Sequence, residues 1–172
     1  MAITFQQKVL PNGLTIIAET DPEAHSAAAG FFVRTGARDE ATPLMGVSHF
    51  LEHMMFKGTH DITAEDLNRG FDEIGARNNA YTSNEMTCFY AQVLPEHLAR
   101  ATDLLGRMMR PALRQKDFDT EKQVILEEIA MYKDNPFWVL YEAAVEKNFG
   151  SHPLSHRVLG TSESITALER DR

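Results

Sequence analysis

The hydrophobic pattern of this chain changes its period near residue 45, and that change constrains the fold more than any other feature. Three β-favouring runs precede it, at residues 4–10, 14–20 and 26–35, and the first two flank the turn signal Pro11-Asn12-Gly13. Beyond it, apolar residues recur at helical spacing, at Met45, Val47, Phe50, Leu51, Met54 and Met55. Strands followed mainly by helices predict an α+β fold.

The later part of the chain fits the same class. It predicts two more strands, at residues 79–83 and 86–94, and helices at residues 63–74, 95–109, 116–133 and 137–148. The predicted architecture is therefore a largely antiparallel β-sheet backed by helices on one side. We expect the mostly apolar third strand to be covered on both faces. A last helix is expected to begin at Thr161 as the sequence stops, so residues 1–172 are predicted to be the N-terminal portion of a longer protein.

Composition limits the classes of partner, the cellular location and the metal ligands that can be expected for this chain. The net charge of −8, from 17 basic and 25 acidic residues, disfavours nucleic acid and anionic membranes as partners. The longest apolar stretch, residues 27–33, is too short to span a bilayer, and the N-terminus lacks the pattern of a secretory signal, so a cytoplasmic location is expected. Because Cys88 is the only cysteine, a metal would have to be held by histidine and carboxylate side chains.

Such side chains occur together at His49-Phe50-Leu51-Glu52-His53. Residues i and i+4 lie on the same face of a helix, so the two imidazoles can reach one zinc ion. Glu52 lies about 100° around the helix, where it can take a proton from water at the metal without binding the metal itself. H-x-x-E-H is a known zinc-peptidase motif, the inverse of the commoner H-E-x-x-H. The alternative is an ordinary solvent-facing pair of histidines beside a surface glutamate.

A catalytic zinc needs a third protein ligand, and the predicted helix at residues 116–133 offers candidates. Val124, Ile125, Leu126 and Ile129 are expected to mark its buried side. Glu121 and Glu128 are seven residues apart and so lie within about 20° of each other around the helix. One carboxylate of such a pair can bind metal while the other orients a ligand. Spacing alone slightly favours a simpler interpretation, a charged face exposed to solvent.

Three segments carry a resemblance to a known family, and they read HFLEHMMFKGT, NAYTSNEMTCFYA and EKQVILEEIAMYKDNP. In this order they resemble the pitrilysin-type zinc peptidases, the group that includes mitochondrial processing peptidase and insulin-degrading enzyme. The similarity extends from about residue 10 to residue 165.

The resemblance implies a role for each candidate residue. His49, His53 and Glu128 would bind one Zn²⁺, with Glu127 as the less favoured neighbour of Glu128. Glu52 would be the catalytic base, and Glu121 would support catalysis without binding metal. Two residues of a substrate-binding edge strand would be Asn79 and Ala80, since such a strand can pair with an extended peptide.

The predicted function is that of a zinc metalloendopeptidase acting on unfolded peptides or flexible protein segments. The alternative is a non-catalytic subunit of the same family that serves in assembly or substrate capture. Against that alternative stands the complete motif, since a pseudo-enzyme usually loses part of it. The resemblance also implies a second homologous domain or subunit that closes a chamber. The 172 residues alone are therefore expected to bind zinc but to hydrolyse peptides poorly.

Overall fold

Strands and helices segregate along the chain as the change of period predicts. Residues 2–171, which the computed structural model describes, contain five strands and six α-helices. The strands are β1 (Thr4–Val9), β2 (Thr15–Thr20), β3 (Ala27–Val33), β4 (Arg77–Thr82) and β5 (Thr87–Val93). The helices are α1 (Val47–Met55), α2 (Ala64–Glu73), α3 (Leu98–Met108), α4 (Gln115–Lys133), α5 (Pro136–Phe149) and α6 (Ser162–Ala167). None of these helices is long and apolar enough to cross a membrane.

The strands form two antiparallel sheets. β1 and β2 pair as a hairpin of their own, whereas β3, β5 and β4 form a three-stranded sheet in that order. The predicted α+β class and antiparallel pairing are confirmed, but the strands are divided between two sheets. Within the described residues, β4 has a strand neighbour on one side only.

Three local expectations were wrong. β3 is not covered on both faces, because Phe31 packs on the core while Phe32 is 65% exposed. Neighbouring residues of a strand point to opposite faces, and the core lies on one of them. Val124 is 42% exposed because it lies about 100° around α4 from the buried Ile125. The last helix is capped by Thr161, as expected, but it ends at Ala167, within the sequence.

Two apolar clusters hold the helices in place. The first joins β4 and β5 to α2 and α3, with Phe71, Phe89 and Leu104 among its buried members. The second joins α1 to α4 and α6, and Phe50 of α1 meets Phe118 of α4 with ring centroids 4.5 Å apart. Burial of a side chain such as Phe50 contributes roughly 1.5–3 kcal/mol. Since α1 contacts both β4 and α4, residues from the sheet and from a distant helix meet along it.

Candidate metal centre

The helix that carries the H-x-x-E-H motif begins at a tightly packed turn. Gly46, its N-terminal cap, has φ of 95°, and a Cβ there would lie 2.7 Å from the carbonyl oxygen of Leu159. Gly46 has no side chain with which to cap the helix, and Glu40 takes over that role. The buried Glu40 carboxylate accepts hydrogen bonds from the backbone N–H groups of Gly46 and Ser48, both at 2.7 Å. A carboxylate in this position satisfies free N–H groups and complements the positive end of the helix dipole.

His49 and His53 lie one turn apart on α1, with ring centroids 4.6 Å apart. Glu128 reaches them from α4, and its Oε2 lies 3.8 Å from Nε2 of His49 and 3.7 Å from Nε2 of His53. The three side chains offer donor atoms that all lie within 4.8 Å of one another. The neighbouring Glu127 is exposed. Helix α4 thus presents Glu128, and not Glu127, to the two imidazoles.

The three donors fit a zinc ion in both distance and chemistry. Two ligand atoms about 2.1 Å from a tetrahedral ion lie about 3.4 Å apart, close to the distances from Glu128 to the two rings. Burial, together with the nearby imidazole of His53, lowers the pKa of His49 to about 4, so this ring is neutral at pH 7, as a metal ligand must be. Within residues 2–171, Nδ1 of His49 is buried without a hydrogen-bond partner.

Glu52 lies on α1 between the two histidines in sequence and is partly buried. Its Oε2 accepts a hydrogen bond of 2.5 Å from the hydroxyl of Thr82, at the end of β4. Burial raises the pKa of Glu52, and the hydrogen bond from Thr82 partly opposes the change. A raised pKa brings a carboxylate closer to the range in which it can both take and return a proton near neutral pH.

Glu121 lies on the Nδ1 side of the His53 ring, whereas Glu128 lies on the Nε2 side. The Glu121 side chain is almost fully buried, and its Oε2 lies 3.0 Å from Nδ1 of His53. Its other oxygen, Oε1, lies 2.5 Å from Nζ of Lys57. If Nδ1 of His53 donates to Glu121, Nε2 keeps its lone pair free for a metal.

The two predicted substrate-binding residues lie on β4, the strand that ends at Thr82. Ala80 is buried, and Asn79 is exposed on the opposite face of the strand. The N–H of Ala80 donates to the side-chain oxygen of Asn79 at 2.9 Å. Another hydrogen-bond acceptor could therefore replace the Asn79 side chain as the partner of this N–H.

Three residues of the site were missed by the sequence interpretation: Glu40, Lys57 and Thr82. Glu40 precedes α1 by seven positions, outside the spacing of the usual capping motifs. Lys57 follows the apolar run that ends at Met55, and its position there predicts no contact with a distant helix. Thr82 was recognised only as part of a strand. In each case the functional contact depends on the tertiary fold, and no local pattern predicts it.

Two imidazoles and a distal carboxylate, with a further carboxylate beside them, are the donor set and base of a mononuclear zinc peptidase. Here they are held on an α+β scaffold in which one helix supplies both imidazoles. The chain belongs to the insulinase family, peptidase family M16: the model described as "Insulinase (Peptidase family M16)" matches residues 15–162. The resemblance stated from the motifs is thereby confirmed.

Relatives and solved structures agree with this membership. The chain is 40% identical over 161 residues to the "uncharacterized zinc protease YmxG" of Bacillus subtilis, covering 93% of this chain and 39% of that protein. A protease from Helicobacter pylori has the same fold, with a TM-score of 0.92, 23% identity, and coverage of 97% of this chain and 41% of the other. A "peptidase M16 inactive domain" from Pseudomonas fluorescens also shares the fold, with a TM-score of 0.87, 17% identity, and coverage of 96% and 41%. The chain spans about two fifths of the length of these proteins.

Proposed function

We propose that this chain carries the catalytic centre of a zinc metalloendopeptidase that cleaves unfolded peptides or flexible protein segments. One observation carries the proposal: His49, His53 and Glu128 place donor atoms within 4.8 Å of one another, although Glu128 is 75 positions beyond His53 in sequence. Glu52 extends from the same helix as the two histidines. Membership of the insulinase family of peptidases and the zinc-protease name of the B. subtilis relative support the same reaction class.

Each residue of the site would have a separate role in peptide hydrolysis. His49, His53 and Glu128 would hold Zn²⁺, which when bound polarises a carbonyl group and makes water more acidic. Glu52 would accept a proton from the attacking water and pass it to the departing amine nitrogen. The hydroxyl of Thr82 would orient the Glu52 carboxylate through their hydrogen bond. Glu121 would hold the ring of His53 with Nε2 directed to the metal side.

We propose that the substrate is an extended peptide aligned along β4. This strand has an unpaired side within the described residues, and the N–H of Ala80 is bonded only to its neighbour's side chain. A peptide that pairs with such an edge is gripped through main-chain hydrogen bonds, largely independent of its sequence. Asn79 would then release the Ala80 amide. Because only an extended backbone can pair with a strand edge, this mode of binding favours substrates that are already unfolded.

The alternative function, a non-catalytic subunit, has one observation behind it. The P. fluorescens structure with the same fold is described as an inactive domain, so the scaffold occurs without activity. In this chain, however, the donor atoms of both histidines and of Glu128 lie within 4.8 Å of one another, and Glu52, the proposed base, is present on the same helix as the histidines. We therefore favour the enzyme.

We also propose that a second homologous domain or subunit closes the site. The chain matches only 39% of the length of the B. subtilis protein and 41% of the H. pylori protein, which supports a larger working unit. Groups that grip the substrate from the other side would come from that second part. The 172 residues alone would then bind zinc but cleave peptides slowly.

The reaction class is tested with an unstructured fluorogenic peptide and the chain in its larger working unit. Removal of metal by a chelator should lower cleavage at least about 100-fold, because several kcal/mol of transition-state stabilisation are lost, and added Zn²⁺ should restore it. A folded protein of similar composition serves as the control substrate and should resist cleavage. Cleavage that survives metal removal would contradict the proposal. Stable zinc binding without any cleavage would favour the non-catalytic alternative.

A further inference from the structure

Two rows of polar side chains face each other where α1 packs on α4. His49, His53 and Lys57 follow one another at intervals of four residues along and just beyond α1. Facing them, Glu128 lies near both histidines, and Glu121 lies between His53 and Lys57. Because the sequence order of the contacts is reversed between the two segments, the helices run antiparallel. Each carboxylate therefore bridges two successive residues of the α1 row.

The Glu121 carboxylate is the buried member of this arrangement, with only 4% of its side chain exposed. A buried carboxylate is stable only when charged or hydrogen-bonded partners compensate it. Oε1 has the Lys57 ammonium at 2.5 Å, and Oε2 has Nδ1 of His53 at 3.0 Å. With Oε1 held by Lys57, Oε2 is turned towards His53. Lys57 itself is one third exposed, so its charge is reachable by substitution without opening the core.

We propose that Lys57 is a positioning residue for the metal centre. It fixes the Glu121 carboxylate, and through Glu121 it fixes the ring orientation and tautomer of His53. The inference rests on the proposed zinc site, since it assigns Nε2 of His53 to the metal. A lysine that merely tied α1 to α4 would affect stability alone. A lysine that positions His53 must also affect metal binding and the choice of ring nitrogen that carries the proton in the neutral imidazole.

The test uses Co²⁺ as the probe, added to the metal-free chain and to the variants Lys57→Met and Lys57→Arg. Lys57→Met should weaken Co²⁺ binding by roughly 10- to 100-fold, the usual effect of losing a partner behind a ligand, and should change the visible spectrum of bound Co²⁺. Lys57→Arg keeps the cation and should retain the parent spectrum. Lys116→Met, on the exposed start of α4, is the matched control and should behave as the parent.

A second measurement does not depend on metal. ¹⁵N NMR of the metal-free chain should show His53 protonated at Nδ1 in the parent and a mixture of tautomers in Lys57→Met. If that variant does not fold, as judged by circular dichroism, Lys57→Gln replaces it. Its amide can donate to Glu121 but carries no charge, so the same changes in Co²⁺ affinity and His53 tautomer are expected, smaller than in Lys57→Met, and parent-like values would refute the role of Lys57.

The outcomes separate this inference from the proposed function. A parent chain that does not bind Co²⁺ refutes the proposed metal site, and the inference falls with it. A parent that binds Co²⁺ while Lys57→Met has the same affinity, spectrum and His53 tautomer refutes the role of Lys57 alone. Loss of stability in Lys57→Met without a change in these three readouts would mean that the ion pair between Lys57 and Glu121 has only a structural role.

Discussion

Replacement of Glu52 by glutamine is expected to lower the rate of peptide cleavage by about 10²–10⁴-fold while leaving zinc binding unchanged. The amide keeps the shape of the side chain and can still meet the hydroxyl of Thr82, but it cannot accept a proton at neutral pH. Since Glu52 is outside the group of three donors, its substitution removes no ligand. The measurement is kcat for an unstructured peptide, alongside the zinc content of the purified variant.

Glu65→Gln, on the exposed first turn of α2, is the control for the loss of one carboxylate. It should cleave the peptide at the parent rate. If Glu52→Gln also cleaves at the parent rate, Glu52 is not the base. If Glu52→Gln loses its zinc, the residue belongs to the ligand set, and the assigned division between base and ligands is wrong.

Replacement of His53 by alanine is expected to weaken zinc binding by about 10²–10³-fold and to abolish turnover with it. The apparent 10–16 kcal/mol of zinc binding in a four-ligand site corresponds to about 3–4 kcal/mol per ligand. His53 also links the centre to Glu121, and its loss leaves that buried carboxylate with Lys57 as its remaining partner. Competition with a chromophoric chelator measures the affinity directly.

His60→Ala provides the matched control, because His60 is an exposed histidine seven positions further along the chain. It should bind zinc as the parent does. Equal zinc affinity in His53→Ala and the parent would show that the ion, if bound at all, is held elsewhere. Thermal unfolding of both variants in the absence of metal separates a lost ligand from a damaged fold.

Much of the fold was predictable because its signals are local. The helices predicted to begin at residues 63 and 137 begin within one residue of those positions, at Ala64 and Pro136, because Thr63 and Asn135 cap their first turns. The division of the strands into two sheets was not predictable, since strand pairing is decided by residues far apart in the chain. Exposure of Phe32 was missed for a related reason: an apolar strand does not reveal how many of its faces are covered.

In the candidate site, too, contacts within one helix could be predicted from the sequence, whereas contacts between elements could not. Helical spacing alone brings His49 and His53 together, and the structure places them with rings 4.6 Å apart. Spacing could not decide between Glu127 and Glu128, which lie about 100° apart around the helix, because spacing alone does not say which side of α4 faces the histidines. The packing of Ile125 and Ile129 against α1 decides it by fixing the rotation of α4.

No local sequence pattern predicts the contacts that the supporting residues of the site make. Thr82 is 30 positions from Glu52, and Glu121 is 68 from His53, so these contacts exist only once the sheet and helices are assembled. Glu40 is nearer in sequence, yet it caps α1 only because the intervening loop turns back on itself.

The proposed convergence of two side chains of α1 and one of α4 on a single ion is tested most directly by a crystal structure of the zinc-loaded chain with anomalous scattering from zinc. It predicts one ion per chain, about 2.0–2.2 Å from Nε2 of His49, Nε2 of His53 and a carboxylate oxygen of Glu128. Zinc bound at other residues, or bound by the two histidines with Glu128 turned away, would contradict it.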